Sequence, residues 1–131
     1  IVRTGDAVYT FDAGVEQILT ASVERIKRRV HGYKSQRQLM SGGTCEATAF
    51  AVFGYQVSGI AYPLGNYHNA TKGIANLNGA IAEEYIHLSD FLGGIELVYE
   101  MATLVNESFD DRAIRRIGDV SDRVRQRLSA L

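Results

Sequence analysis

The stretch FDAGVEQILTASVERIKRRVHG, residues 11–32, decides how the rest of the chain is read. Val15, Ile18, Leu19, Val23, Ile26 and Val30 recur at the spacing that places side chains on one face of a helix. Asp12 stands where a carboxylate accepts from the free amides of a first turn, and Lys27, Arg28 and Arg29 stand where the helix dipole favours cations. His31-Gly32 ends the pattern, so one amphipathic helix is predicted over 13–30.

Outward from that helix, strands and helices alternate. IVRTGDAVYT, residues 1–10, sets two short β-prone runs around the turn signal Gly5-Asp6. YKSQRQLM, 33–40, alternates in side-chain character as a half-exposed strand does. CEATAFAVFG, 45–54, reads as a short Ala-rich helix stopped by Gly54, and QVSGIAYP, 56–63, as a buried strand ending at Pro63. The loop 64–80 is crowded with Gly65, Gly73, Gly79, Asn66, Asn69, Asn76 and Asn78, too many turn formers for a core element. It is also longer than most structureless connections, and long loops are often functional. AEEYIHL, 82–88, reads as a strand. Ser89 or Asp90 then caps a helix whose inner face is Phe91, Ile95, Val98, Ala102 and Val105. A last helix, from Asp110, carries Ile114, Ile117, Val120, Val124, Leu128 and Leu131. This order predicts an α/β fold over residues 1–131, one domain with helices packed on a mostly parallel sheet. Ligands in such sheets sit beyond the carboxyl ends of the strands, which is where the loop with His68 begins.

Composition narrows the function. The 131 residues are 46% hydrophobic and 22% charged, enough for one modest core. A net charge of -1 and a pI near 6.3 remove the basic balance of a general nucleic-acid binder. The single cysteine, Cys45, cannot close an internal disulfide, so a reducing, cytoplasmic setting is expected. No run approaches the roughly 18 apolar residues of a membrane span. The chain begins without methionine and is expected to be part of a longer protein.

Several residues carry chemistry, each with a plainer reading beside it. His68 in its Asn/Gly loop is either a metal ligand or acid/base group, or a surface histidine. His87 follows Glu84 by three residues, but a carboxylate-metal site needs that pair on a helix with a second copy elsewhere, so a structural role is expected. His31 serves the end of its helix. Cys45 at a helix start has the placement of an activated thiol, and equally that of a small buried residue. Gly42-Gly43-Thr44 resembles an anion nest but lacks the spacing and the lysine of a phosphate loop. The arginines of the last helix, Arg112 to Arg127, alternate with Asp110, Asp111, Asp119 and Asp122, the pattern of a solvated, paired face.

Taken in order, SGGTCEATAF (41–50), GYQVSGIAYPLGNYHN (54–69) and EYIHLSDFLGGIELV (84–98) resemble three consecutive motifs of the co-catalytic dinuclear zinc aminopeptidases. These are relatives of the deblocking and glutamyl aminopeptidases and, more widely, of the zinc exopeptidases and deacylases. The resemblance covers roughly residues 1–105 and is to the carboxyl-terminal half of the catalytic domain. It implies a partial αβα layer, two divalent metal ions, zinc foremost, and hydrolysis at the N-terminus of a peptide substrate. It puts His68 in the place of the last metal-liganding histidine. Thr44, Glu46, Asn66 and Tyr67 take places near the substrate, with Glu46 where relatives carry Asp and Cys45 where they carry Thr. Asp90 matches a helix start. The family's other ligands and its general base lie upstream in relatives, and nothing in these residues matches their motifs. The resemblance therefore implies a remaining N-terminal part of the domain as partner, an isolated chain without peptidase activity, and in some relatives homo-oligomers. The reading from another class is a non-catalytic peptidase-like module for oligomerisation or peptide binding. Neither nucleic acid nor membrane is expected as a partner.

Overall fold

The computed structural model describes residues 1–73, 76, 78–106 and 126–127. The helix expected from Asp110, with its arginine and aspartate face, lies outside the described residues save for Gln126 and Arg127. The fold is mixed α/β. Strand β1 (Val2–Arg3) leads into helix α1 (Ala13–Arg29), which returns to β2 (Arg37–Gln38); β1 and β2 pair in parallel, Val2 opposite Arg37. Next come α2 (Glu46–Val52) and β3 (Gly59–Ile60), the latter antiparallel to the other edge of β1, with Val2 opposite Ile60. The first sheet thus runs β2-β1-β3. A second sheet is the antiparallel pair β4 (Leu64–Gly65) and β5 (Tyr85–Ile86), after which α3 (Leu88–Leu104) closes the described fold. The sheet expected to be mostly parallel joins one parallel pair to one antiparallel pair.

Helix α1 forms where its sequence pattern places it. The Asp12 carboxylate accepts from the Val15 amide at 2.9 Å, capping the first turn. The inner face, Leu19, Val23 and Ile26, packs with Val2 and with Leu97 of α3, and Tyr33, Ile60 and Met101 lie against that cluster. Ile26 is 0% exposed. Charges fasten the same seam from outside: Arg29 bonds both Glu96 and Glu100 of α3, and Arg25 approaches Glu100 at 3.8 Å. Glu16, also buried, pairs with Arg37 and so ties α1 to β2.

Two expectations about α3 are corrected. His87, read as a strand residue, is the helix N-cap; its ring Nδ1 accepts from the Ser89 amide at 3.3 Å and meets the Ser89 hydroxyl at 2.8 Å, so neither Ser89 nor Asp90 has the capping position. The buried face is Leu97, Glu100 and Leu104, whereas Phe91, Ile95, Val98, Ala102 and Val105 are exposed. The physical reason is that α3 is apolar on both sides, so periodicity alone cannot choose its phase. The ion pairs from Arg25 and Arg29 to Glu100 turn the glutamate's side of the helix toward α1.

Candidate functional site

The loop that follows β4 is a clamped hairpin. Asn66, His68 and Asn69 all adopt the left-handed backbone region, with φ of 51°, 58° and 60°. Asparagine tolerates this region; histidine does so at a cost of order 1 kcal/mol, and such strain persists only where surrounding bonds enforce it. They do so here. The Asn66 side-chain amide donates to the Glu83 carbonyl at 2.8 Å and that of Asn69 to the Ala82 carbonyl at 3.2 Å. The His68 amide donates to the Glu84 carboxylate at 2.8 Å. Thr71 and Ala80 add a pair of bonds across the same gap, and Ala70 bridges Ile81. At the base, Gly65 faces Tyr85 so closely that a Cβ there would overlap the tyrosine ring. Every backbone turn that presents His68 is thus held by the strand side of the hairpin. The imidazole itself is exposed and packs on the Tyr67 ring, with centroids 4.1 Å apart and planes at 51°.

The second candidate segment is the turn before α2. Its organiser is Asp6, which sequence reading assigned only to a turn. One carboxylate oxygen of Asp6 accepts the Val8 and Tyr9 amides at 3.0 Å each; the other accepts the Cys45 amide at 3.0 Å and the Thr48 hydroxyl. Burial alone would raise the Asp6 pKa, but those donated bonds outweigh it and hold the group well below the usual carboxylate range. Asp6 is a structural anchor with its acceptor sites filled. Cys45 is the half-buried N-cap of α2, without a side-chain cap bond, and Thr44 and Glu46 stand exposed on either side of it.

Asn66, Tyr67 and His68 are therefore brought together on the hairpin, and Thr44 and Glu46 at the head of α2. No hydrogen bond, ion pair or ring contact joins the two groups among the described residues. A protein zinc takes about three or four ligands from His, Cys, Asp and Glu. Among the described residues no three such side chains gather where they could hold a metal. Glu84, the acid that touches the His68 segment, has an oxygen engaged by the backbone. The residues present do not fit a zinc pair by themselves; His68 is an exposed single donor.

A feature that sequence reading missed is a cleft of about 1060 Å³ between the 30–36 segment and the first turns of α3. His31, His87, Asp90 and Glu96 line it together with Tyr33 and Tyr62, over a floor that includes Leu97. The Tyr33 hydroxyl donates to the Gly93 carbonyl at 2.9 Å, and Tyr62 lies against Gly94. Burial pushes the Tyr33 phenol up, and the nearby Glu96 and Tyr62 add to it. The signal that marks this place is the pair Gly93-Gly94 within a helix, costly to helix formation unless something must approach closely. Two tyrosines do. Among the described residues no helix is long and apolar enough to cross a membrane. No protein-family model, curated protein or solved structure matches this chain.

Proposed function

We propose that this chain is a portion of a metal-dependent, aminopeptidase-like hydrolase acting at the N-terminus of peptides, and that His68 is its contribution to a site for two divalent metal ions, zinc foremost. The observation that carries the reading is the presentation of His68: an exposed imidazole on a left-handed backbone whose neighbours on both sides are tied down. A ligand held before the metal arrives loses little freedom on binding, which is a physical use for a strained loop. The α/β frame, with α1 between parallel β1 and β2, suits a partial αβα layer of the zinc-exopeptidase kind. Thr44, Glu46, Asn66 and Tyr67 are the residues assigned to the peptide substrate in this reading. The other ligands and the general base come from a preceding part of the catalytic domain, which is also the first partner; self-association and a cytoplasmic setting belong to the same proposal.

Calorimetric zinc titration of the 131-residue chain beside His68→Ala tests it. Binding weaker than about micromolar in both is expected. Tight, stoichiometric binding that His68→Ala abolishes means that these residues complete a site alone, and the need for outside ligands is wrong. In the complete gene product, metal-dependent release of an N-terminal amino acid is expected and is lost in His68→Ala. A metal-loaded product with no such activity favours the non-catalytic module.

A further inference from the structure

The two walls of the cleft between the 30–36 segment and α3 differ in charge. On the α3 side stand Asp90 and Glu96; on the other stand Lys34 and the imidazole of His31. Glu96 is already answered by Arg29, so Asp90 is the acid left on its wall. Among the described residues no hydrogen bond or ion pair engages the side chains of Asp90, Lys34 or His31. The charge of Asp90 also reaches the Ile1 ammonium, but that group donates to the Ala61 carbonyl at 2.8 Å. Between the walls the surface is apolar. Val2 and Leu97 belong to the core, and Ile60 packs against them. The Tyr33 hydroxyl is tied to Gly93 and the Tyr62 ring is seated on Gly94, so both aromatic sides are fixed before anything enters.

This lining selects its ligand by elimination. A multivalent anion would meet Lys34 but be repelled by Asp90, and a simple organic cation would be repelled by Lys34 in turn. A zwitterion with an apolar body answers both walls and the floor. A single amino acid is too small for the space: the cube root of 1060 Å³ is about 10 Å, the length of about three extended residues at 3.3–3.6 Å each. Clefts of this size, with an apolar surface and a few convergent polar groups, are where small ligands bind.

We infer that this cleft binds a short apolar peptide with free ends, about three residues long, its ammonium at Asp90 of α3 and its carboxylate at Lys34 of the facing wall, with His31 beside it. The peptide's side chains lie over Val2, Ile60 and Leu97, between the two tyrosines. His68 and the residues assigned with it are not in this lining, so the inference goes beyond the hydrolase reading and stands or falls without it.

The test is calorimetric titration of trileucine into the 131-residue chain without added metal. Binding with a Kd below about 1 mM is expected. N-acetyl-trileucine and trileucine amide should each bind at least about ten-fold more weakly, the worth of one charged contact. Two variants then locate the ends. In Asp90→Asn, free and acetylated peptides should bind alike while amidation still weakens binding; in Lys34→Gln, amidation should cease to matter while acetylation still does. A merely structural role would weaken all three probes together, and that result overturns the inference. So does equal affinity of the parent for free and blocked peptides, or no binding of trileucine at about 3 mM. Leucine alone binding as tightly as trileucine overturns it as well, by removing the need for a peptide. Far-ultraviolet dichroism checks each variant's fold; Lys34 is exposed, so its variant and the blocked peptides decide the matter even where Asp90→Asn disturbs the first turn of α3.

Discussion

Adjacent glycines in α3 should respond with opposite sign to the same substitution. Both Gly93→Ala and Gly94→Ala gain about 1 kcal/mol of helix propensity. At 93 the new Cβ lies 3.3 Å from the edge of the Tyr33 ring, which has to yield by only a few tenths of an ångström. Most of the gain survives, and Gly93→Ala is expected to be more stable than the parent by about 0.5–1 kcal/mol. At 94 the Cβ overlaps the Tyr62 hydroxyl and two ring carbons, so the ring must leave its seat. Overpacking of this kind costs about 1–3 kcal/mol. Moving the ring also disturbs its packing on Phe91, where the centroids are 6.2 Å apart, a contact of about 0.5–1 kcal/mol. Against the propensity gain, Gly94→Ala should lose about 1–2 kcal/mol, and the two variants should differ by about 1.5–3 kcal/mol. Urea unfolding followed by far-ultraviolet dichroism, with a common m-value, reads that gap as a shift in midpoint. The cycle is completed with Tyr62→Val, in which Gly94→Ala should reverse sign and stabilise. If Gly94→Ala matches Gly93→Ala, or stays destabilising without Tyr62, the seating of Tyr62 on Gly94 is not what the glycine is for.

Three further outcomes follow from the packing and the site. Ile26→Val should lower unfolding free energy by about 1 kcal/mol and Ile26→Ala by about 3, since the side chain is wholly buried between α1 and α3; denaturant melts would measure both. Asp6 has a folded pKa below its unfolded value near 3.9, so its stabilising effect is complete above that pH and fades as pH falls below about 4. Acid titration of the parent against Asp6→Asn should therefore show a stability difference that shrinks below about pH 4; a constant difference down to pH 2 contradicts the role given to its four donors. His68→Gly should leave stability unchanged or raise it by up to about 1 kcal/mol, because glycine accepts the left-handed conformation freely, and a thermal melt that shows a clear loss refutes the strain at this position.

Helix α1 was legible because three local signals agree in one window: the apolar period, the Asp12 cap and the basic last turn. Strands β1, β2, β3 and β5 fall within stretches read as β-prone, whereas β4 (Leu64–Gly65) falls in the stretch read as a loop, and no strand's length was legible. Each has two paired residues, and two residues carry no alternation from which a length can be read. The face of α3 was illegible for the opposite reason, an excess of signal. With apolar residues around the helix, either phase satisfies the pattern, and the choice is made by arginines on α1 some 70 positions away in the chain, Arg29 to Glu100 spanning 71. His68 could be singled out by its loop, but its clamp could not, since Glu84 reaches it across 16 residues and no local spacing encodes that bond. Asp6 was overlooked because the Cys45 amide and the Thr48 hydroxyl come from 39 and 42 residues further on. What sequence patterns miss, in each case, is a polar contact between distant segments.

Strand β1 lies at the centre of the first sheet, and both of its partners come later in the chain. Among the strands of this sheet it is made first, before either of its partners. At about 5–20 residues per second, roughly 2–7 s pass before β2 is made and roughly 3–12 s before β3, so the two edges of the central strand stay open for those times. Its shortness is then an advantage: two residues offer too small a template to recruit a foreign strand during the wait.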